Sequence, residues 1–314
     1  MNDPPDSARR RSPRVLLTGG SGLVGRALAA ELRAEGWEVL ELSHRARPDA
    51  LTWTPEKGEM PDEALVDVNA VVHLAGEPVA QRWTDTARKR IRDSRVVSTR
   101  LLAECMAARP AAKRPQVFLC ASAIGFYGND RAEVVDESSS AGSGFLAEVV
   151  SEWEAAAAPA GEAGIRVVFA RLGVVLAKSG GALAKMLPPF RLGLGGPLGS
   201  GAQRMSWIAL PDVVGILSWL LIQPSAAGAY NVVAPAPCTN RELTATLARV
   251  LQRPAALPVP AFALKLMLGE MAEVVLGDLA VQPTRLAAAN FTWRFPTLEA
   301  ALRQELAEAP KGTA

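Results

Sequence analysis

Between an apolar run, Val15 to Thr18, and a helical pattern lies Thr18-Gly19-Gly20-Ser21-Gly22-Leu23-Val24-Gly25. Gly20, Gly22 and Gly25 read as G-x-G-x-x-G; Gly19, Gly22 and Gly25 read as T-G-x-x-G-x-x-G. Both patterns serve the same chemistry. Glycines let the backbone turn tightly and approach a pyrophosphate, while helix-terminal N–H groups and the helix dipole hold the anion. Such a motif is weak alone, but between a strand and a helix it specifies a dinucleotide site. No Gly-Lys-Ser/Thr follows, which excludes a P-loop. The ribose-reading position falls about 20 residues further on, at the end of the second strand. Ser43, His44 and Arg45 stand there. An acid would bond a 2′-hydroxyl and select NAD; arginine pairs with phosphate, so this segment favours NADP. Glu41, on the same strand face as Ser43, keeps NAD open, and a solvated loop charge is the other reading of Arg45.

The elements that must hold these groups follow from the apolar pattern. Val15 to Thr18, Val39 to Leu42, Ala70 to Leu74, Gln116 to Ala121 and Arg166 to Ala170 read as strands. Helical spacing of Leu23, Val24, Ala27, Leu28 and Leu32 predicts the first helix, with Gly36 suited to its C-terminus. Further helices are expected over 85–108 and 145–158. Strand–helix alternation predicts an α/β fold, a Rossmann-type doubly wound parallel sheet. After about Lys178 the texture changes to a Gly-rich stretch, a helix near Asp212 to Leu221, a strand Ala229 to Val233, a Pro-bounded linker Leu257 to Pro260 and a helical end. The expected organisation is a disordered leader over 1–13 and a Rossmann domain over 14–178, with 209–234 returning to it. Segments 179–208 and 235–307 make a smaller, mainly helical C-terminal lobe on the substrate side, and 308–314 a tail.

Composition narrows the function. The chain has 314 residues, 49% hydrophobic and 21% charged, which is globular. Net charge of +2 gives no field to gather nucleic acid or acidic lipid. Arg88-Lys89-Arg90-x-Arg92 lacks interleaved aromatics and reads as a solvated helix face. Three widely spaced cysteines build neither a disulfide framework nor a zinc site. No apolar run reaches membrane-spanning length. A cytoplasmic protein with no metal, nucleic-acid or membrane partner is expected.

The segments LLTGGSGLVG, VVHLAGEPVAQRW, IRDSRV, ASAIGFYG, FLAEVVSEWEAAA, RLGVVL, GGALAKMLPPFRLGLGGPLGSGAQRMSWI and LPVPAFALKLMLGEMAEVVLG together resemble the extended short-chain dehydrogenase/reductase superfamily. The resemblance spans about Arg14 to Leu306. It is strongest to the atypical epimerase family group, similar to NAD-dependent epimerase/dehydratases, which has a small C-terminal domain of unknown role. Some relatives bear the label of cell-division inhibitor. The resemblance implies that Gly19, Gly22, Leu23, Val24 and Gly25 cradle the pyrophosphate and that Ser43, His44 and Arg45 face the adenosine ribose and its phosphate. It further implies that Leu74, Ala75 and Gly76 pass beside the cofactor, that Arg95 reaches toward it, and that Gly173, Val174 and Val175 border the nicotinamide. The helices over 85–108 and 145–158 are those that the superfamily pairs into a homodimer interface.

The superfamily's proton-transfer machinery is a Tyr-x-x-x-Lys pair on one helix face plus a Ser or Thr. The corresponding helix here begins Phe145-Leu146-Ala147-Glu148-Val149, and neither of the two tyrosines has Lys at that spacing. The dyad is absent. Ser122 retains a hydroxyl next to Ala123, which stands at the usual Ser/Thr position. Ser122 is a candidate catalyst or a hydroxyl bonded to strand-end backbone. Glu77 is a candidate acid or base beside the nicotinamide, or a capping or salt-bridging carboxylate. Tyr127 is a candidate phenol donor, or an aromatic packed over the cleft mouth. His73, inside an apolar run, reads as a satisfied core histidine. Arg204, Ser206 and Trp207 are placed on the substrate side, and Ala209 stands where the family usually has the His of His-x-x-Asp. Two functions fit. One is an NADP-dependent oxidoreductase or epimerase-like enzyme on an unidentified small polar substrate. The other is a non-catalytic NADP(H)-sensing regulator.

Overall fold

The computed structural model describes residues 12–307; the leader expected over 1–13 and the tail over 308–314 fall almost wholly outside them. The strands are β1 (Arg14–Thr18), β2 (Glu38–Ser43), β3 (Ala50–Thr52), β4 (Ala70–His73), β5 (Val117–Ala123), β6 (Asp130–Val135), β7 (Arg166–Leu172), β8 (Val174–Ala177), β9 (Arg204–Met205), β10 (Trp207–Ala209), β11 (Gly228–Val232), β12 (Cys238–Thr239) and β13 (Asp278–Val281). The helices are α1 (Leu23–Ala34), α2 (Asp85–Ala107), α3 (Phe145–Ala155), α4 (Ala158–Glu162), α5 (Gly181–Arg191), α6 (Leu210–Ile222), α7 (Asn240–Leu251), α8 (Ala261–Leu268), α9 (Ala272–Leu276), α10 (Thr284–Ala288) and α11 (Leu298–Leu306).

Seven strands form one parallel sheet in the order β3-β2-β1-β4-β5-β7-β11. Successive side chains of a strand point to opposite faces, and both faces here are apolar. Val15 and Leu17 of β1 pack with Leu28 and Leu32 of α1 and Ile216, Leu217 and Leu220 of α6. Leu16 packs on the other face with Leu102 and Met106 of α2 and Trp153 of α3. This two-sided burial is why the strands read as unbroken apolar runs. The strand order reverses direction between β1 and β4, and the carboxyl ends at that point are where open α/β sheets take ligands.

Helix α1 ends as its glycine predicts. Gly36 has φ +87°, with Gly36 N–H donating to Arg33 O and Trp37 N–H to Leu32 O. That is the Schellman arrangement. The helix expected over 145–158 instead stops at Ala155, and α4 restarts at Ala158 with Pro159 in its first turn. A Pro ring is tolerated there because no intrahelical N–H is required.

The C-terminal lobe is mainly helical, as the sequence suggests, with a few short strands. Its core packs Leu183, Leu187 and Phe190 of α5 against Leu243 and Leu247 of α7 and Leu302 of α11. It also contributes strands. β13 pairs parallel with β6, and β12 pairs antiparallel with β9. Leu257 to Pro260 is not a free linker: Val259 bridges Leu198, donating to Pro197 O and accepting from Gly199 N–H, each at 2.9 Å. Strand β11 lies on the edge of the main sheet beside β7. Among the described residues no helix is long and apolar enough to cross a membrane.

Candidate active site

The glycine loop leaves the carboxyl end of β1 and enters α1 at Leu23. Gly19 has φ +73°, and a Cβ there would lie 2.6 Å from the Leu74 carbonyl carbon. A Cβ on Gly25 would overlap the Gly19 carbonyl oxygen and sit 2.8 Å from its carbon. Gly22 N–H closes the turn on Gly19 O at 2.9 Å. Backbone therefore packs on backbone, and the start of α1 is left bare.

At the end of β2, Ser43 Oγ accepts from Arg45 N–H at 3.1 Å, and the His44 ring lies 5.2 Å from that of Trp53. Arg45 is exposed, and its side chain has no partner among the described residues. Glu41 is buried under the loop, against Gly20, and pairs with Arg33 at 3.0 Å and Arg47 at 3.3 Å. Its carboxylate is thus already occupied by two cations.

A cleft of about 580 Å³ opens at the carboxyl ends of β4, β5 and β7. Leu74, Ala75, Gly76, Arg95, Ser122, Gly173, Val174 and Val175 all line it. Gly76 matters because the Arg95 guanidinium lies over it, 3.1 Å from where a Cβ would be. Arg95 donates to Ile91 O at 2.9 Å and stacks on Trp153 at 5.2 Å. Burial pulls its pKa down to about 10, partly opposed by Glu77. Among the described residues no carboxylate pairs with it, so a cation faces the cleft unneutralised.

The candidate catalysts are otherwise engaged. Ser122 Oγ donates to Glu154 Oε1 at 2.6 Å. Arg171 grips both Glu154 oxygens at 2.8 Å and donates to the Tyr127 hydroxyl at 3.0 Å. Tyr127 donates onward to Asn231 Oδ1 at 2.8 Å. Tyr127 is fully buried rather than set over the cleft mouth, and burial holds its pKa above the usual phenol value. Glu77 accepts from Gln81 Nε2 at 3.1 Å, lies 3.5 Å from Arg90 and does not line the cleft. On α3 the residues that line the cleft are Leu146, Val149, Val150 and Trp153; Phe145 lines a neighbouring hollow, with Trp83 and Arg131. Of the two positions where the superfamily has Tyr and Lys, Val149 lines this cleft and Phe145 the neighbouring hollow, and neither carries an ionisable group. Sequence reasoning missed Glu154 because only its distant partners Ser122 and Arg171 give it a role.

Arg204 and Ser206 line the cleft, but Arg204 is bidentate to Asp278 at 2.8 and 2.7 Å, and Ser206 Oγ accepts from Val281 N–H at 2.8 Å. They fasten β13 rather than present free groups. Trp207 is core. Asp212, which follows Ala209, accepts the backbone N–H groups of Arg294 and Phe295 at 2.6 and 3.0 Å, and burial raises its pKa. The basic run is a paired surface: Arg88 meets Glu270, Lys89 meets Asp93, and Arg92 meets Glu152. Burial pushes the Cys120 and Cys238 thiols up to about 12, so neither is a ready nucleophile. No His, Cys, Asp and Glu cluster among the described residues has the makings of a metal site.

His73 is the satisfied core histidine its sequence context suggests. Nδ1 lies 2.6 Å from Thr18 Oγ1 and Nε2 2.9 Å from Ser98 Oγ. Ser98 donates to Ser94 O at 2.6 Å, so it accepts from His73 Nε2–H, and Nδ1 accepts from Thr18. The chain ties β1, β4 and α2 together behind the glycine loop. Burial lowers the His73 pKa to about 3, with His44 and Arg95 adding to the effect. Between that value and about 6.5 for a free histidine the unfolded chain binds the extra proton, so acid favours unfolding. The expected result is full His73-linked stability above about pH 6.5 and progressive loss toward pH 3. Urea titrations of the wild type and His73→Gln at pH 7 and pH 5 check it: equal pH slopes in the two proteins would contradict the assignment.

A doubly wound parallel sheet with a glycine turn at the strand-order reversal between β1 and β4, and a cleft beside it at the carboxyl ends of β4, β5 and β7, defines a Rossmann-type fold of the short-chain dehydrogenase/reductase kind. The chain belongs to the NAD-dependent epimerase/dehydratase family, whose model matches residues 15–233, and a domain of unknown function, DUF1731, matches residues 259–305. An epimerase family protein of Mycobacterium bovis is 43% identical over 293 residues, covering 92% of this chain and 96% of its own. The crystal structure of human epimerase family protein SDR39U1 with NADPH is 37% identical, with a TM-score of 0.85 over 93% of this chain and 98% of that one. A structure described as a nucleoside-diphosphate sugar epimerase from Corynebacterium glutamicum is 36% identical, with a TM-score of 0.77 over 94% of this chain and 58% of that one.

Proposed function

We propose that the protein is an NADP(H)-binding oxidoreductase or epimerase-like enzyme that works on a small substrate in the cleft without a Tyr-x-x-x-Lys dyad. The glycine cradle carries this reading. Gly19 and Gly25 leave no space for a Cβ, and the bare N-terminus of α1 offers N–H groups to a pyrophosphate. The NADPH in the human relative's structure supports the same reading. Gly19, Gly22, Leu23, Val24 and Gly25 would hold the pyrophosphate. Ser43, His44 and Arg45 would take the adenosine ribose and its phosphate. Leu74, Ala75, Gly76 and Arg95 would flank the cofactor above β4, with Gly173, Val174 and Val175 at the nicotinamide. When bound, the nicotinamide supplies or accepts hydride. Arg95 contributes a fixed positive charge in a partly dried cleft, where such a charge acts strongly. Leu146 and Val150 keep water from that side.

Calorimetric titration of the apo protein with NADPH, NADP, NADH and NAD tests the reading; no binding to any of them sinks it. Arg45→Asp is expected to turn a preference for NADPH into one for NADH, and an unchanged preference would remove Arg45 from the phosphate site. The second reading, an NADP(H)-sensing regulator, is favoured by one observation: Ser122, Tyr127 and Glu77 are each bonded elsewhere. A substrate-dependent absorbance change at 340 nm decides for the enzyme. Its failure across a carbonyl and nucleotide-sugar panel, with no epimerised product by NMR and with NADPH binding intact, decides for the regulator.

A further inference from the structure

The far end of the cleft, beyond the strand ends, is walled by Met186, Met205, Leu243, Met271, Val274 and Leu279. The charged residues that line the whole cleft are Arg95 and Arg204, and Arg204 is neutralised by Asp278. With Arg95 on the cofactor side, no free cation among the described residues is left in the cleft for a second diphosphate.

Two buried amides break this apolar wall. Gln203 and Asn240 line the cleft and are 8% and 5% exposed. Both are anchored on the backbone of Leu198. Gln203 Nε2 donates to Leu198 O at 3.0 Å, and Asn240 Oδ1 accepts from Leu198 N–H at 2.7 Å. The bridge from Val259 uses the flanking groups of Pro197 and Gly199, which turns Leu198's own N–H and C=O toward the two amides. These bonds fix which way each amide faces. A flipped Gln203 would set oxygen against oxygen, and a flipped Asn240 would set N–H against N–H. What remains is one acceptor, Gln203 Oε1, and one donor group, Asn240 Nδ2, neither bonded among the described residues. Neither atom is among the polar side-chain atoms sealed from solvent without a partner, so both stay open to whatever fills the cleft, and in a mainly apolar cleft such atoms are recognition elements.

We infer that the substrate end of this cleft takes a neutral, mainly apolar molecule through a neighbouring donor and acceptor on its edge, as in a lactam. Gln203 Oε1 accepts the ligand's N–H and Asn240 Nδ2 donates to its C=O. A nucleotide sugar is the wrong ligand here, and so is the small polar substrate expected from the sequence. The inference rests on the cofactor reading only in assigning the strand-end half of the cleft to the cofactor.

The test uses the full chain, first titrated with NADPH and then, saturated with it, with 1H-quinolin-2-one, its N-methyl derivative and UDP-glucose. Loss of NADPH binding overturns the cofactor reading, which is a separate failure. With NADPH bound, the quinolinone is expected to bind at least tenfold tighter than the N-methyl compound, which lacks the donor. Asn240→Asp retains an oxygen for Leu198 N–H but loses the ligand-facing donor. It is expected to weaken quinolinone binding at least tenfold and leave NADPH affinity unchanged. Equal affinity for the two quinolinones, no quinolinone binding up to its solubility limit, or tighter binding of UDP-glucose each overturns the inference.

Discussion

Gly25→Ala is expected to weaken NADPH binding at least a hundredfold, about 2.8 kcal/mol, while the protein stays folded. The added methyl would overlap the Gly19 carbonyl oxygen and lie 2.9 Å from Gly20 Cα. Those neighbours are backbone, so the loop itself must open, and with it the hydrogen bond from Gly22 N–H to Gly19 O. Helix α1 remains anchored by Leu28 and Leu32 in the core and by its glycine-terminated end. The clash therefore falls on the cradle and not on the fold. Gly20→Ala is the control. Its methyl meets the Glu41 side chain and not backbone, so the adjustment falls on Glu41 and its pairs with Arg33 and Arg47 while the turn stays closed, and a smaller loss than for Gly25→Ala is expected. Calorimetry on both variants, with circular dichroism as the check on folding, reads the difference. NADPH binding to Gly25→Ala within tenfold of wild type would detach the cofactor from this loop.

Arg171→Met is expected to cost about 3–5 kcal/mol of unfolding free energy, the usual penalty for stranding one member of a buried ion pair. Glu154 would keep only Ser122 as a partner, and Tyr127 would lose its bond from the guanidinium. The double variant Glu154→Leu/Arg171→Met is expected to recover most of the loss, because apolar side chains of similar volume often replace buried pairs without penalty. Urea unfolding of the three proteins makes the comparison. A loss below about 1 kcal/mol for Arg171→Met, the range of exposed pairs, would mean that solvent reaches this network. The result also bears on mechanism. Ser122 and Tyr127 belong to a structural network joining β5, α3, β7 and β11, which is why neither offers a free hydroxyl to the cleft.

The sequence by itself determined the parallel sheet, the glycine turn between β1 and α1, the end of α1 at Gly36 and the absence of a Tyr–Lys pair. It also marked His73 as core and the Arg88 to Arg92 run as surface. These are local properties. Apolar runs, helical spacing and glycine positions act on neighbours within a few residues, so they are written in consecutive letters. Tertiary structure alone decided which polar groups are free. Glu41 looks available at the end of β2 until Arg33 and Arg47 close on it. Arg204 looks like a substrate ligand until Asp278, far along the chain, takes it. Gln203 and Asn240 are unremarkable letters until a bridge from Val259 turns Leu198 toward both. Strands β6 and β13 have no strong periodicity of their own and exist as a pair. A hydrogen bond between residues distant in sequence leaves no period behind it, and whether a polar atom is spent or free depends on such bonds.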